Sequence, residues 1–225
     1  MAPLMMIRVL LLLSLLFCCD RSAAQPPPPS SSAPIIPSCN VNFINASCYN
    51  ATTHKPLCVE SLTPYADYIG GSKRRIALVA LCLSRAKARD AASFVVAKLK
   101  EPKRNLTRME FGAMRDCQEE MKGLDEELRP SITELGQAKT GSPDAFAGHM
   151  GNVQTWVSAA LTDIDTCFEG LPRGSELRGE VEGAVSCVYD LISNALALIN
   201  DFAASRTHAN SCKKPHHLLT QLPHP

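Results

Sequence analysis

The chain has 225 residues, 45% of them hydrophobic and only 5% aromatic, with a formal net charge of +1 at neutral pH. The length allows one domain with a real core, which must be largely aliphatic. A charge so near zero excludes a general attraction to nucleic acid.

The first residues carry an export signal. Arg8 supplies a positive charge, Val9 to Cys19 is an apolar run of eleven residues, and Ser22-Ala23-Ala24 places small residues before a cleavage point after Ala24. Residues 1–24 therefore read as a signal peptide. Eleven residues fall short of the roughly 30 Å of hydrocarbon that a membrane anchor spans. Cleavage removes Cys18 and Cys19 and brings the net charge to zero. Eight cysteines remain, at 39, 48, 58, 82, 117, 167, 187 and 212. An even number in an exported chain, with no C-x-x-C, points to disulfides and away from a metal or redox site. Sequons at Asn45, Asn50 and Asn105 agree with export and are glycosylation candidates.

Residues 25–38 are Pro/Ser-rich, with Pro26 to Pro29 consecutive, and predict an extended, solvated linker. Residues 39–207 are the expected folded domain. Residues 208–225 are a flexible polar tail holding four of the six histidines. At the start of the domain, Val41 to Asp67 contains Pro56 and Pro64, which forbid one long helix and predict two or three short helical turns. Gly70-Gly71 ends that segment.

Four long helices follow. The first spans about 72–99 with Ser72 as N-cap, and Ile76, Val79, Leu83, Ala86, Phe94 and Val95 recur every three or four residues. The second starts near Asn105 or Thr107 and ends near Gly136. Its apolar stripe is Met114, Cys117, Met121, Leu124 and Leu128, and Pro130 predicts a kink or an early end. Gly141-Ser142-Pro143 breaks the chain. The third helix, about 144–168, has the stripe Val153, Trp156, Val157, Ala160, Leu161, Ile164, Cys167 and Phe168. The fourth starts at Ser175 and runs to about 205, on Leu177, Val181, Val185, Val188, Ile192, Ala195, Leu196, Ile199 and Phe202; Arg178 stands where a capping box would place Glu. The fold class is all-α: an antiparallel up-down four-helix bundle preceded by a short disulfide-linked helical hairpin.

Spacing selects two disulfides. The turn between helices two and three centres near Ser142, with Cys117 and Cys167 each 25 residues away, so at ~1.5 Å per residue both sulfurs sit at one height. A Cys117–Cys167 bond closes a long loop and contributes roughly 4 kcal/mol in the chain-entropy model. Cys48–Cys58 is the natural local pair. The other four stay open: Cys39 and Cys212 could meet at one pole, and Cys82 and Cys187 could remain buried free thiols.

Charge divides along the domain. Lys55 to Arg115 holds thirteen Lys/Arg against five Asp/Glu, a net of +8, and Asp116 to Glu182 holds five against fourteen, a net of −9. The halves either neutralise each other across neighbouring helices or make a dipolar surface that steers a partner. Runs such as Asp125-Glu126-Glu127 read first as a solvated face. His149 has no partner that the sequence can name. No G-x-S-x-G, H-E-x-x-H, P-loop or G-x-G-x-x-G is present, so catalysis has no specific support and no cofactor or metal is expected.

Several stretches resemble one family, the plant invertase and pectin methylesterase inhibitors. They are the Cys48…Cys58 hairpin with Thr53, Pro56 and Leu57; Met114-Arg115-Asp116-Cys117-Gln118-Glu119; Thr155 to Thr162 followed by Thr166-Cys167; and Ile192 to Leu198. The third, fifty residues after an Asp-Cys-x-Glu, is the specific one. Departures are Lys55 before Pro56, extra cysteines at 39, 82 and 212, and Gly123, expected to break the second helix. The resemblance implies a four-helix bundle after a helical hairpin, the same two disulfides, and a non-enzymatic role. That role is reversible inhibition of a cell-wall enzyme by covering its cleft. No Pro-Lys-Phe is present, which favours pectin methylesterase over the alternative partner, acid invertase; a secreted helical ligand is the remaining alternative. Helices two and three are then the expected inhibitory face, with Glu119, Thr162, Asp163, Thr166 and Glu169 as contacts and the apoplast as location. Glu119 could instead pair with Arg115, and Thr166 could bond back to a helical carbonyl.

Overall fold

The computed structural model describes residues 39–101, 106–138 and 141–211, with side chains as far as Arg206. The expected signal peptide and linker, most of the C-terminal tail, Asn105 and Cys212 lie outside these residues. Among the described residues every regular element is helical.

The hairpin is α1 (Cys39–Ala51) and α2 (Lys55–Leu62), followed by a 3-10 turn at Thr63–Tyr65 and the short α3 (Ala66–Ile69). Pro56 and Pro64 sit in first turns, where a missing N–H costs nothing. Cys48 and Cys58 are bonded, with Cα atoms 5.8 Å apart. Gly70, at φ +49°, closes α3 and donates its N–H to the Ala66 carbonyl at 2.9 Å.

The long helices are α4 (Lys73–Leu99), α5 (Arg108–Gln137), α6 (Pro143–Gly170) and α7 (Glu176–Ser211). Each start has a side-chain cap. Ser72 accepts from the Arg75 N–H at 3.3 Å. Thr107 and Glu110 form a reciprocal capping box, which places the start of α5 at Arg108. Ser142 accepts from Ala145 N–H, with Pro143 in the first turn. Ser175 accepts from Arg178 N–H at 3.1 Å. Arg178 has a second job: its Nη1 donates to the Phe168 and Leu171 carbonyls at 2.7 and 2.8 Å, capping the end of α6 with a cation.

Packing runs α4–α5, α5–α6, α6–α7 and α7–α4, an antiparallel up-down bundle with the hairpin against α4 and α7. By length and composition α7 could cross a membrane, but its apolar residues, from Leu177 and Val181 to Ile199, are bundle core.

The hairpin is docked by Asn194 of α7, a residue only 2% exposed. Its Oδ1 accepts the His54 N–H at 3.1 Å and its Nδ2 donates to the His54 carbonyl at 2.9 Å. One side chain thus satisfies both backbone groups at the turn between α1 and α2. The His54 Nε2 also lies 3.4 Å from Asp190.

Several expectations need correction. Pro130 does not end α5, which continues to Gln137 because Leu128, Ser131 and Leu135 are buried on both sides of it. The carbonyl that loses its i+4 donor belongs to exposed Glu126. Gly123 does not break α5 either. Helix α7 outruns both the expected end near 205 and the domain limit at 207. In α4, Ile76 to Cys82 are all buried, because the hairpin covers the face that a two-neighbour helix would leave open, while Leu83, Ala86 and Phe94 are only half-buried. Trp156, Leu161 and Phe168 are likewise half-buried rather than core. Cys39 is a free, exposed thiol. Cys82 is disulfide-bonded rather than free, and Cys187 is a free, half-buried thiol.

Candidate binding face on helices α5 and α6

Cys117 and Cys167 are bonded with Cα atoms 4.2 Å apart, so α5 and α6 approach closely at that level. Beneath the bond, Met121, Leu124 and Leu128 of α5 pack with Val153, Val157, Ala160 and Ile164 of α6 in one core. The residues left outward on this helix pair form the face that the sequence singles out.

Two of those residues lie at the disulfide. Glu119 is two residues beyond Cys117 and exposed; its nearest cation is Lys122 at 3.7 Å, not Arg115. Both side chains are about two-thirds exposed (67% and 65%), so the pair adds little stability. Thr166 precedes Cys167, is exposed, and donates its hydroxyl to the Thr162 carbonyl at 2.8 Å. Thr162 in turn donates to the Ser158 carbonyl at 3.3 Å. Each hydroxyl keeps lone pairs free for an outside donor. Thr162, Thr166 and Glu169 share one exposed stripe at i, i+4 and i+7 of α6.

Asp163 does not belong to that stripe. It turns toward α5 and occupies the space over Gly123, where a Cβ would stand only 2.8 Å from its Oδ2. There it faces the Glu127 carboxyl, and a hydrogen bond between the two requires that one of them be protonated. Burial, the charge of Asp163 and this hydrogen bond push the Glu127 carboxyl up to about 7, while its Oε2 is shielded from solvent with no hydrogen-bond partner. Burial also raises Asp163, against the opposing effect of the Glu127 hydrogen bond. Glu120 is raised by burial, then by the charges of Asp163 and Asp116. The pair holds a proton because two adjacent carboxylates cannot both ionise cheaply.

Across the bundle, part of the charge split is neutralised. Arg85 grips Asp125 through two nitrogens at 2.7 and 3.1 Å, Lys98 meets Glu180 at 2.6 Å, and Lys73 meets Asp201 at 2.8 Å. Among the described residues no Lys or Arg pairs with Glu120, Glu127 or Asp163, so no cation neutralises these carboxyls. Near the turn between these helices, His149 finds the partner the sequence could not name. Glu134 lies 2.9 Å from its Nδ1 and accepts from Asn152 at 3.0 Å, and these bonds hold Glu134 below the usual carboxylate range.

Sequence reasoning placed Glu119, Thr162, Thr166 and Glu169 on an exposed surface and missed the role of Glu127, Glu120 and Gly123. The Asp125-Glu126-Glu127 run looked uniformly solvated. The available signal was Gly123 itself: a glycine four residues before Glu127 on the α6-facing side of a long helix marks a place where another group comes close.

A family model described as plant invertase/pectin methylesterase inhibitor matches residues 42–198. Pectinesterase inhibitor 11 of Arabidopsis thaliana is 42% identical over 170 residues, 72% of this chain and 81% of that protein. The 21 kDa protein of Daucus carota is 34% identical over 169 residues, 74% of this chain and 86% of that protein. Pectinesterase inhibitor 10 of Arabidopsis thaliana is 39% identical over 168 residues, but this chain spans only 53% of its length. Among solved structures, a mutant form of a pectin methylesterase inhibitor from Arabidopsis shares the fold with a TM-score of 0.56, covering 69% of this chain and 95% of that one at 18% identity.

Proposed function

The chain belongs to the plant invertase/pectin methylesterase inhibitor family, and from that premise we propose that it is an exported protein that binds a pectin methylesterase non-covalently and covers its active-site cleft. In this reading it regulates removal of methyl esters from pectin in the cell wall and performs no catalysis itself. Residues 1–24 direct export and 25–38 are a spacer. Asn50, exposed at the end of α1, is a better placed sugar acceptor than half-buried Asn45.

The observation that supports the reading is the exposed face of α5 and α6, where carboxylates outnumber cations. Glu119, Thr162, Thr166 and Glu169 stand exposed at the level where the Cys117–Cys167 bond holds the helices rigid. A preorganised surface loses little freedom on binding. Its charge suits a target with a basic rim, aiding encounter and register more than affinity. Thr166 and Thr162 offer acceptors, Glu119 and Glu169 charges.

The test is binding and inhibition of a pectin methylesterase by Glu119→Lys and Thr166→Arg variants. Each variant is expected to weaken inhibition by about tenfold or more, since charge-assisted contacts are worth roughly 1.5–3 kcal/mol. Unaltered inhibition by both variants would remove this face from the mechanism.

A further inference from the structure

A second surface feature lies on the other side of α5. A groove of about 460 Å³ runs between α4 and α5, within the roughly 300–1,000 Å³ of small-molecule sites. Its apolar lining is made by Ala88, Ala92, Val96 and Met121. Its rim is polar: Arg89 and Ser93 from α4, Gln118 and Lys122 from α5. None of these belongs to the α5/α6 contact set.

The charges of the rim are not balanced from within. The carboxylate that lines the groove, Asp125, is already held by two nitrogens of Arg85. Arg89 is exposed and its guanidinium has no partner among the described residues. Lys122 has only the long, exposed contact with Glu119 at 3.7 Å. Two cations therefore face the groove with little compensation. Between them are two neutral hydrogen-bonding groups. The Ser93 hydroxyl donates to the Arg89 carbonyl at 2.8 Å and keeps its lone pairs. The Gln118 amide offers both a donor and an acceptor.

We propose that this groove binds an acidic oligosaccharide, a short run of uronate residues. The carboxylates sit on Arg89 and Lys122, hydroxyls bond Ser93 and Gln118, and the C–H faces of the sugar rings lie on the apolar lining. The choice of galacturonate rests on the proposed function, since hydrolysis of pectin methyl esters creates uronate carboxylates. The inhibitor would then be retained where its target has already worked.

Calorimetric titration of the mature chain with a galacturonate oligomer, its methyl-esterified counterpart and a neutral glucan tests the site. The expected result is saturable binding of the acid oligomer alone, weakened about tenfold by Arg89→Ala and by Lys122→Ala and reduced by added salt. Arg89 is exposed, so its variant keeps the wild-type helical circular dichroism. Inhibition of a pectin methylesterase by Arg89→Ala is measured alongside and is expected to equal wild type. No binding of the acid oligomer, equal binding of the ester, or indifference to Arg89→Ala overturns the proposal. Loss of inhibition in Arg89→Ala overturns the separation of the two surfaces. Saccharide binding by a chain that inhibits no methylesterase upholds the groove and sinks the functional reading instead.

Discussion

Glu127 binds its proton more tightly in the folded chain than an unfolded carboxyl does, because burial and Asp163 push it up to about 7. Where the native state binds more protons, stability falls as pH rises. The contribution is fully present below the unfolded carboxylate range and is lost as pH rises through about 7. Asp163, also raised, acts in the same direction. Glu134 acts oppositely: its carboxyl is lowered by His149 and Asn152, so that contribution is lost only as pH falls through its folded value. Thermal unfolding of the wild type is therefore expected to give a lower Tm at about pH 8 than at about pH 5.5, and Glu127→Gln, which keeps a donor without a charge, should flatten that dependence. An identical slope in the variant would place the proton elsewhere. The proposed binding face thus carries its own titratable pair.

At the scale of elements, α5 shows what the residues declared and what they hid. Its start was narrowed to Asn105 or Thr107, between which the capping box of Thr107 and Glu110 decides, and its buried stripe was marked by Met114, Cys117, Met121, Leu124 and Leu128 at helical spacing. The Cys117–Cys167 bond was legible because two antiparallel helices of known rise place equidistant residues side by side. Pro130 and Gly123 misled, since local propensity of about 1–3 kcal/mol yields to a buried face that spans eight turns. The buried run Ile76–Cys82 of α4 could not be read from periodicity, because it reflects a third neighbour, the hairpin, that pairwise packing does not foresee. For Gly123 the two scales can be separated. In an exposed helix Gly→Ala stabilises by roughly 0.5–1 kcal/mol, but here the new Cβ would stand 2.8 Å from Asp163 Oδ2. Gly123→Ala is expected to destabilise, and to regain the usual gain when Asp163→Ala is added, as chemical denaturation of the four members of the cycle would reveal. Additive effects would mean that Asp163 moves aside freely.

The described residues form a bundle with a hairpin packed on it and tied by a buried amide. Asn194 satisfies the N–H and carbonyl of His54 at once, so Asn194→Ala leaves both unpaired against α7 and should cost about 2–3 kcal/mol. In a domain of this size that lowers Tm by roughly 5–10 °C, and a larger susceptibility to proteolysis between Ala51 and Lys55 would accompany it. The residue was visible in the sequence within Ile192 to Leu198, but its reach of 140 positions was not. The candidate face was legible in part for a similar reason. Exposed carboxylates and hydroxyls follow from the helical wheel, whereas the raised carboxyls of Glu127 and Asp163 depend on the distance between two helices. Arrangement at this scale also decides which charges are spent on the bundle: Arg85, Lys98 and Lys73 answer Asp125, Glu180 and Asp201, and Glu120, Glu127 and Asp163 have no such cation among the described residues.

The proposed binding face is put to the most direct test by titrating the purified mature protein against a panel of pectin methylesterases and acid invertases, from mildly acidic to neutral pH. Stoichiometric, reversible inhibition of at least one methylesterase, weakened by Glu119→Lys, with the invertases untouched, is the result the account predicts. Inhibition of invertase alone, or of neither enzyme class at any pH in that range, would contradict it.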